Sequence, residues 1–303
     1  MDPTWIAKHL SWRQMIIVPL LMALVFSGVL FFRWHTEGTP VPLSLDFKGG
    51  TIIRVRGIDN VPNADVVKDN IKNIILADID VKVTEDRTRT TGVFGLDMET
   101  DKPISDNEKE QIKEALTKQF GNSIIIGMDW KGSIITGIFK EQAWKAIVGA
   151  FIAMAIILFI AFRRSFPVGV MVLCVILDAL GALGLMAIFR VPLSLASIAG
   201  LLMIIGYSVD TDILLSNHML KRYGEDIRKR ISNAMRTGLM TSGTTLITLV
   251  AIEVLTTAPL LYQLSSVLIF GVLVDVVNTW FMNAGMLLWY TERRRRREYY
   301  VSE

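Results

Sequence analysis

With 303 residues, 51% hydrophobic and 20% charged, the chain has a mean hydropathy of +0.43 although one long segment is plainly hydrophilic. The apolar residues must therefore be gathered into long runs, which excludes an ordinary soluble domain and points to a polytopic membrane protein. A net charge of +3 decides nothing, the single cysteine (Cys174) excludes an internal disulfide, and His9, His35 and His218 stand apart without metal-ligand spacing.

In chain order, a segment at 1–14 carries Trp5 and Trp12 beside Lys8 and Arg13, as suits an interfacial lead-in. Six apolar runs long enough to span follow, at 15–32, 143–162, 167–189, 193–217, 238–258 and 264–290. The first is not expected to be a cleaved signal peptide, because no small-residue cleavage site follows Phe31, Phe32, Arg33 and Trp34. Orientation is read from the basic residues. Lys8 and Arg13 precede the first span, Arg163 and Arg164 separate the second and third, and Lys221, Arg222, Arg228, Lys229, Arg230 and Arg236 lie between the fourth and fifth. Arg293 to Arg297 open the tail at 293–303. These places alternate along the chain, so the positive-inside rule makes both termini cytoplasmic and residues 33–141 extracytoplasmic.

That external segment holds 18 of the 29 acids and 15 of the 32 bases, a mixed surface fit for water. Thr51 to Arg56 alternates as a strand, 62–77 has helical spacing of Val66, Val67, Ile71, Ile74 and Ile75, and 80–84 alternates again. Gly92 to Met98 reads as a third strand, and Ser105 with Glu108 forms a capping box opening a helix through Phe120 that Gly121 stops. Ser123 to Ile126 is the last strand. Strand, helix, strand, strand, helix, strand is the ferredoxin-like order, so an α+β domain is expected. No Ser/His/Asp set, metal cluster or phosphate-cradling loop appears in it, so no catalysis, cofactor or metal is expected.

Acids inside the spans are the chemistry-bearing feature. Each carboxylate at that depth costs about 2.5–3.5 kcal/mol, and folding alone gives no reason to accept it. Asp210 and Asp212 lie in the fourth span, Asp178 near the middle of the third, and Asp275 in the sixth with Asn278 one turn on. Two residues on a helix turn through roughly 200°, so Asp210 and Asp212 face nearly opposite sides. Asp178, Asp210 and Asp212 are candidates for a proton relay, with Arg236 as counter-charge or as a positive-inside anchor. Asp275 reads first as interhelical glue, and Glu253 as reaching the outer interface.

Two places are specific enough to name a family, and the start of the fifth span accompanies them. Leu45-Asp46-Phe47-Lys48-Gly49-Gly50-Thr51 follows the first span, Gly206-Tyr207-Ser208 lies in the fourth, and Thr241, Ser242, Gly243, Thr244 and Thr245 open the fifth. With six spans and one large first external loop, these make the chain resemble the SecF family, the smaller partner in SecD–SecF protein export. The resemblance covers essentially the whole chain. It implies one six-span half of an RND-type assembly, non-enzymatic, in the cell membrane, paired with SecD. It also implies work beside the SecY channel on translocating preproteins, amid membrane lipids and without nucleic acid, driven by the proton gradient. The family's usual Gly-Tyr-Ser-x-Asn-Asp-Thr differs here, where Thr211 occupies the acid's place and Asp210 and Asp212 flank it. One rival is an RND-type half-transporter for small molecules or lipids. An intramembrane aspartyl protease is the remote rival, and its Gly-x-Gly-Asp element is absent.

Overall fold

The computed structural model describes residues 10–86, 93–131, 133–220, 226–256 and 258–301. The expectations for Trp5, Lys8, Gly92, Lys221, Arg222 and the side chains of Arg295 to Arg297 fall outside what is described. In chain order the elements are α1 (Trp12–Glu37), α2 (Leu45–Lys48), β1 (Gly50–Ile58), α3 (Ala64–Ile75), β2 (Asp80–Asp86), β3 (Val93–Thr100), α4 (Asp106–Phe120) and β4 (Ile125–Lys131). They continue with α5 (Ser133–Phe162), α6 (Ser165–Phe189), α7 (Leu195–Leu220), α8 (Ile227–Leu255), α9 (Pro259–Val277), a π-helical segment (Asn278–Asn283) and α10 (Ala284–Val301). The chain divides into a helical unit (1–42, 144–255 and 260–303) and an α/β unit (43–143 with 256–259).

In the α/β unit, strand order is β2-β3-β1-β4 with every neighbouring pair antiparallel. The register opposes Val55 to Leu96 and Ile126, and Ile53 to Met98 on both counts of alternation and burial. These side chains point to one face and pack with Val67, Ile71 and Ile75 of α3 and Ile112 and Leu116 of α4. Each such fully buried side chain contributes about 1.5–3 kcal/mol. The other face is polar, with Arg54 bound to Asp129 and Arg56 to Asp97, each at 2.7 Å. The capping box forms as the sequence specifies: the Glu108 amide donates to the Ser105 hydroxyl, and the Ser105 amide to Glu108.

Several strand boundaries differ from the sequence expectation, β2 running on to Asp86 and β3 to Thr100. The last strand is not Ser123 to Ile126 but Ile125–Lys131. Gly121 caps α4 at φ +88° and the chain needs Asn122 to Ile124 to turn back, so pairing with β1 begins only at Ile125 opposite Arg56. Strand β1 also runs on to Ile58, through a register shift at which Gly57 takes φ +89°.

The helical unit contains, among the described residues, six helical stretches long and apolar enough to cross a membrane. The helices extend past the apolar runs: the first starts at Trp12 and the fifth at Ile227, because polar turns continue a helix for which the apolar part supplies the membrane match. Leu20, Leu21, Leu24 and Val25 leave much of α1 apolar and exposed, as a lipid-facing surface must be. Helices α6, α7 and α9 form the interior and approach closely where glycine removes a side chain. Gly181 of α6 lies against Val274, Gly200 of α7 against Val267, and Gly271 of α9 against Ile204. At the far end of α6 the Arg33 guanidinium, 9% exposed, donates to the Ala187 carbonyl and pairs with Glu37 at 2.7 Å.

Candidate functional site: a string of buried carboxylates

Three carboxylates meet inside the helical unit. Asp178 of α6 and Asp212 of α7 are 0% exposed and Asp275 of α9 is 1% exposed. Ser208 donates its hydroxyl to Asp178 Oδ2. The Thr211 hydroxyl is 3.0 Å from Asp275 Oδ2 and 2.9 Å from the Ser208 carbonyl. Thr279 Oγ1 lies 2.9 Å from Asp275 Oδ1 and 3.2 Å from Asp212 Oδ1. At the two ends, Asn278 donates to Asp178 Oδ1 and Asn283 to Asp212 Oδ1, both at 2.6 Å. Among the described residues, no Lys, Arg or His is hydrogen-bonded or ion-paired to any of the three carboxylates.

The π-helical segment is what brings both asparagines to the acids. In an α-helix, residues five apart diverge by roughly 140°. The π register bonds i to i+5 and carries Asn278 and Asn283 onto one face, as such segments often do at functional positions. Trp280 within it is 1% exposed, and its ring fills the space that the missing side chain of Gly238 leaves on α8.

The sequence candidates divide. Asp178 and Asp212 are brought together; Asp210 and Arg236 are not, both lying exposed on the surface of this unit. The rotation between positions 210 and 212 is what separates them: one side chain enters the bundle and the other leaves it. Asp275, which local pattern presents as glue, stands between the other two acids, and Asn278 bonds across to α6 rather than to its own helix. Thr211 stood out in the sequence only as the residue in the family acid's place, and Thr279 carried no signal beyond a hydroxyl one turn from Asp275. Glu253 accepts a hydrogen bond from Ser266 of α9 at 3.0 Å.

The motif residues take structural places. Asp46 and Phe47 sit in the single turn α2, which Ser44 caps through the Asp46 amide. Gly49 at φ +76° ends that turn, and Gly50 at φ +136° starts β1, where a Cβ would meet the Thr100 carbonyl and Leu45. The Thr51 hydroxyl donates to the Lys102 carbonyl at 3.0 Å. In the helical unit, Gly206 is exposed, Tyr207 donates to Thr245 at 3.0 Å across α7 and α8, and Ser208 belongs to the carboxylate string. Ser242 is buried, whereas Thr241 and Thr244 are exposed and donate back to carbonyls of their own helix.

Residues 109–293 match the family model described as protein export membrane protein SecD/SecF, C-terminal, which places the chain in that class of multi-pass membrane protein. It is 34% identical to the protein-export membrane protein SecF of Pyrococcus furiosus, over 94% of this chain and 93% of that one. With the SecF of Methanocaldococcus jannaschii it shares 33% identity over 95% and 99%. The fold is similar to that of a crystallised Thermus SecDF described as translocon-associated, with a TM-score of 0.70 and 19% identity. That match covers 96% of this chain and 39% of the SecDF chain, so the chain spans about two-fifths of the solved protein. The chain belongs to the SecF family of protein-export membrane proteins.

Proposed function

We propose that the chain is the SecF-type subunit of a SecD–SecF complex and assists preprotein translocation through the Sec channel, coupled to the proton gradient. It acts as one RND-like half, without enzymatic chemistry, in contact with SecD, the SecY channel, the preprotein and membrane lipids. Its termini are cytoplasmic and the α/β unit extracytoplasmic, a reading supported by the basic residues on alternate connections. The strand order and antiparallel pairing of that unit support a ferredoxin-like reading.

The observation that carries the coupling is the string itself. Three acids are buried among apolar helices with no basic partner among the described residues, an arrangement that folding would replace by Leu or Val. Like charges linked by a single hydroxyl disfavour one another, so the number of protons on the string changes the interactions among α6, α7 and α9. Asp178 and Asp212 are its relay acids together with Asp275; Asp210 and Arg236, on the unit's surface, act toward whatever covers α7 and α8.

The test is export and proton flux in vesicles carrying the complex. Asp212→Asn and Asp275→Asn, singly and together, keep size and hydrogen bonding but remove the titrating group. Loss of both activities is expected, and full activity in the double variant would remove the string from the mechanism. Failure of a SecD-type subunit to co-purify would remove the assembly.

A further inference from the structure

We infer that the cavity lined by Phe166, Trp289, Tyr290, Arg293 and Arg294 binds the phosphate headgroup of an anionic membrane lipid at one defined place on the helical unit. A single site of this kind is more than the general lipid contact proposed above: it has named residues and a headgroup chemistry. Phe166 stands at the start of the third span, Trp289 and Tyr290 lie near the end of the sixth, and Trp12, whose ring packs against Trp289, opens the first. The starts of the first and third spans and the end of the sixth fall on one side of a membrane. That side also carries Arg13, Arg163, Arg164 and the run from Arg293 to Arg297.

The walls are aromatic and locked together. Phe166 stacks on Tyr290 with ring centroids 4.8 Å apart and planes 12° from parallel. Its centroid is 5.6 Å from that of Trp289, which in turn is 6.2 Å from that of Trp12. Rings held by one another in this way give the cavity a fixed shape before any ligand arrives. The Arg293 guanidinium lies over the Trp289 ring, 5.2 Å from its centroid. Stacking occupies the face of that planar group and leaves its N–H donors along the edge, where phosphate oxygens accept them in pairs. Arg294 adds a second cation to the lining, and among the described residues no carboxylate lines the cavity. Arg164, at the N-cap of α6, makes no side-chain cap, so the positive end of that helix borders the cavity through Phe166. Every charge on the lining is of the sign that selects an anion.

Size and surroundings decide which anion. The cavity encloses about 320 Å³, at the lower end of the range of about 300–1,000 Å³ for small-ligand sites, so it admits a headgroup rather than a folded segment. Its aromatic side continues into apolar packing, since Phe166 joins a cluster with Ile16, Leu173, Leu177 and Met286. Along α1, Ile16 and Leu20 follow Trp12 at successive steps of four, and Leu20 is 51% exposed. A soluble anion has no use for such a surface, whereas a lipid held by its phosphate lays its acyl chains on it. Aromatic rings at headgroup depth and a basic pocket between spans are the two features by which anionic lipids are held. Binding itself does not depend on orientation; the cytoplasmic termini proposed above decide only which leaflet supplies the lipid.

The test uses the full chain, stripped of lipid in neutral-detergent micelles and titrated with phosphatidylglycerol or phosphatidylcholine, bound lipid being counted by native mass spectrometry. Phosphatidylglycerol is expected to bind about tenfold more tightly than phosphatidylcholine, the effect of one charge-assisted hydrogen bond. Arg293→Gln should weaken it about tenfold, and Arg293→Lys nearly as much, because lysine keeps the charge without the stacked, forked geometry. Lys229→Gln removes an equal charge on the same side from a residue that does not line the cavity, and should leave the affinity unchanged. Full affinity in Arg293→Gln overturns the proposal, as does equal weakening by Lys229→Gln or equal binding of the two lipids. Displacement of phosphatidylglycerol by inorganic phosphate assigns a soluble anion, displacement by a glutamate-rich peptide assigns a protein partner, and either overturns it. Should Arg293→Gln fail to fold, Arg294→Gln reads the same site. Lipid binding is measured without export, so the result leaves the proposed export role to its own test.

Discussion

Gly181 sets the distance between α6 and α9, and an alanine there should show how closely the site depends on packing. A Cβ built on Gly181 falls 2.5 and 2.9 Å from the two methyls of Val274, where ordinary carbon contacts lie at about 3.5–4.0 Å. Val274 cannot rotate away, since a β-branched side chain on a helix has one strongly preferred rotamer. The helices must then part by about 1 Å, at a cost of about 1–3 kcal/mol. Alanine returns up to about 1 kcal/mol of helix propensity, leaving a net loss of up to about 2 kcal/mol. Asp178 lies one turn before Gly181 and Asn278 one turn after Val274, so the same displacement stretches their 2.6 Å hydrogen bond. Val274→Ala removes the obstruction. Denaturant titration in mixed micelles should therefore show Gly181→Ala and Val274→Ala coupled by at least about 1 kcal/mol in the compensating direction. Export lost in the first variant should return in the double. Additivity within about 0.5 kcal/mol would refute the reasoning, because neighbours that do not clash add.

Three further outcomes are expected. Gly50→Ala forces a side chain onto φ +136° and against the Thr100 carbonyl, and should destabilise the α/β unit by about 1–3 kcal/mol, read as faster proteolysis within 43–143. Ile112→Ala empties a fully buried position and should cost about 2–5 kcal/mol, with amide protection lost in the strands and kept in the six long helices. Hydrogen bonds from the Ser105 amide and hydroxyl, then Lys102, hold the Glu108 carboxyl down at about 2, below its ordinary 4.5. Its contribution to stability is therefore full above pH 4.5 and disappears as pH falls toward 2. Amide exchange in α4 should rise across that acid window in the parent chain, and Glu108→Gln should flatten the response.

What could be read from the chain beforehand was whatever is local. Length and hydropathy mark the long helices, and the capping box marks α4, because a Ser and a Glu three apart satisfy each other without help from elsewhere. The angle between Asp210 and Asp212 is likewise a property of one helix. What escaped is set by tertiary contact. Asp275 and Asn278 look like ordinary polar glue from any single segment, and only the crossing of α6, α7 and α9 makes them central. The π register has no local signature in Asn278 to Asn283; the burial of Trp280 beside Gly238 and the two asparagine bonds accompany it. The extent of β4 is likewise absent from its local pattern, because it is decided by pairing with β1, remote in sequence.

The threonines of α8 carry one last implication. Thr237, Thr241, Thr244 and Thr248 are exposed, and each turns its hydroxyl back to a carbonyl one turn earlier in the same helix. What such a strip offers a neighbour is mainly methyl groups, with polarity already spent internally. A neighbour packed against this strip would slide past it without breaking a hydrogen bond to these four hydroxyls.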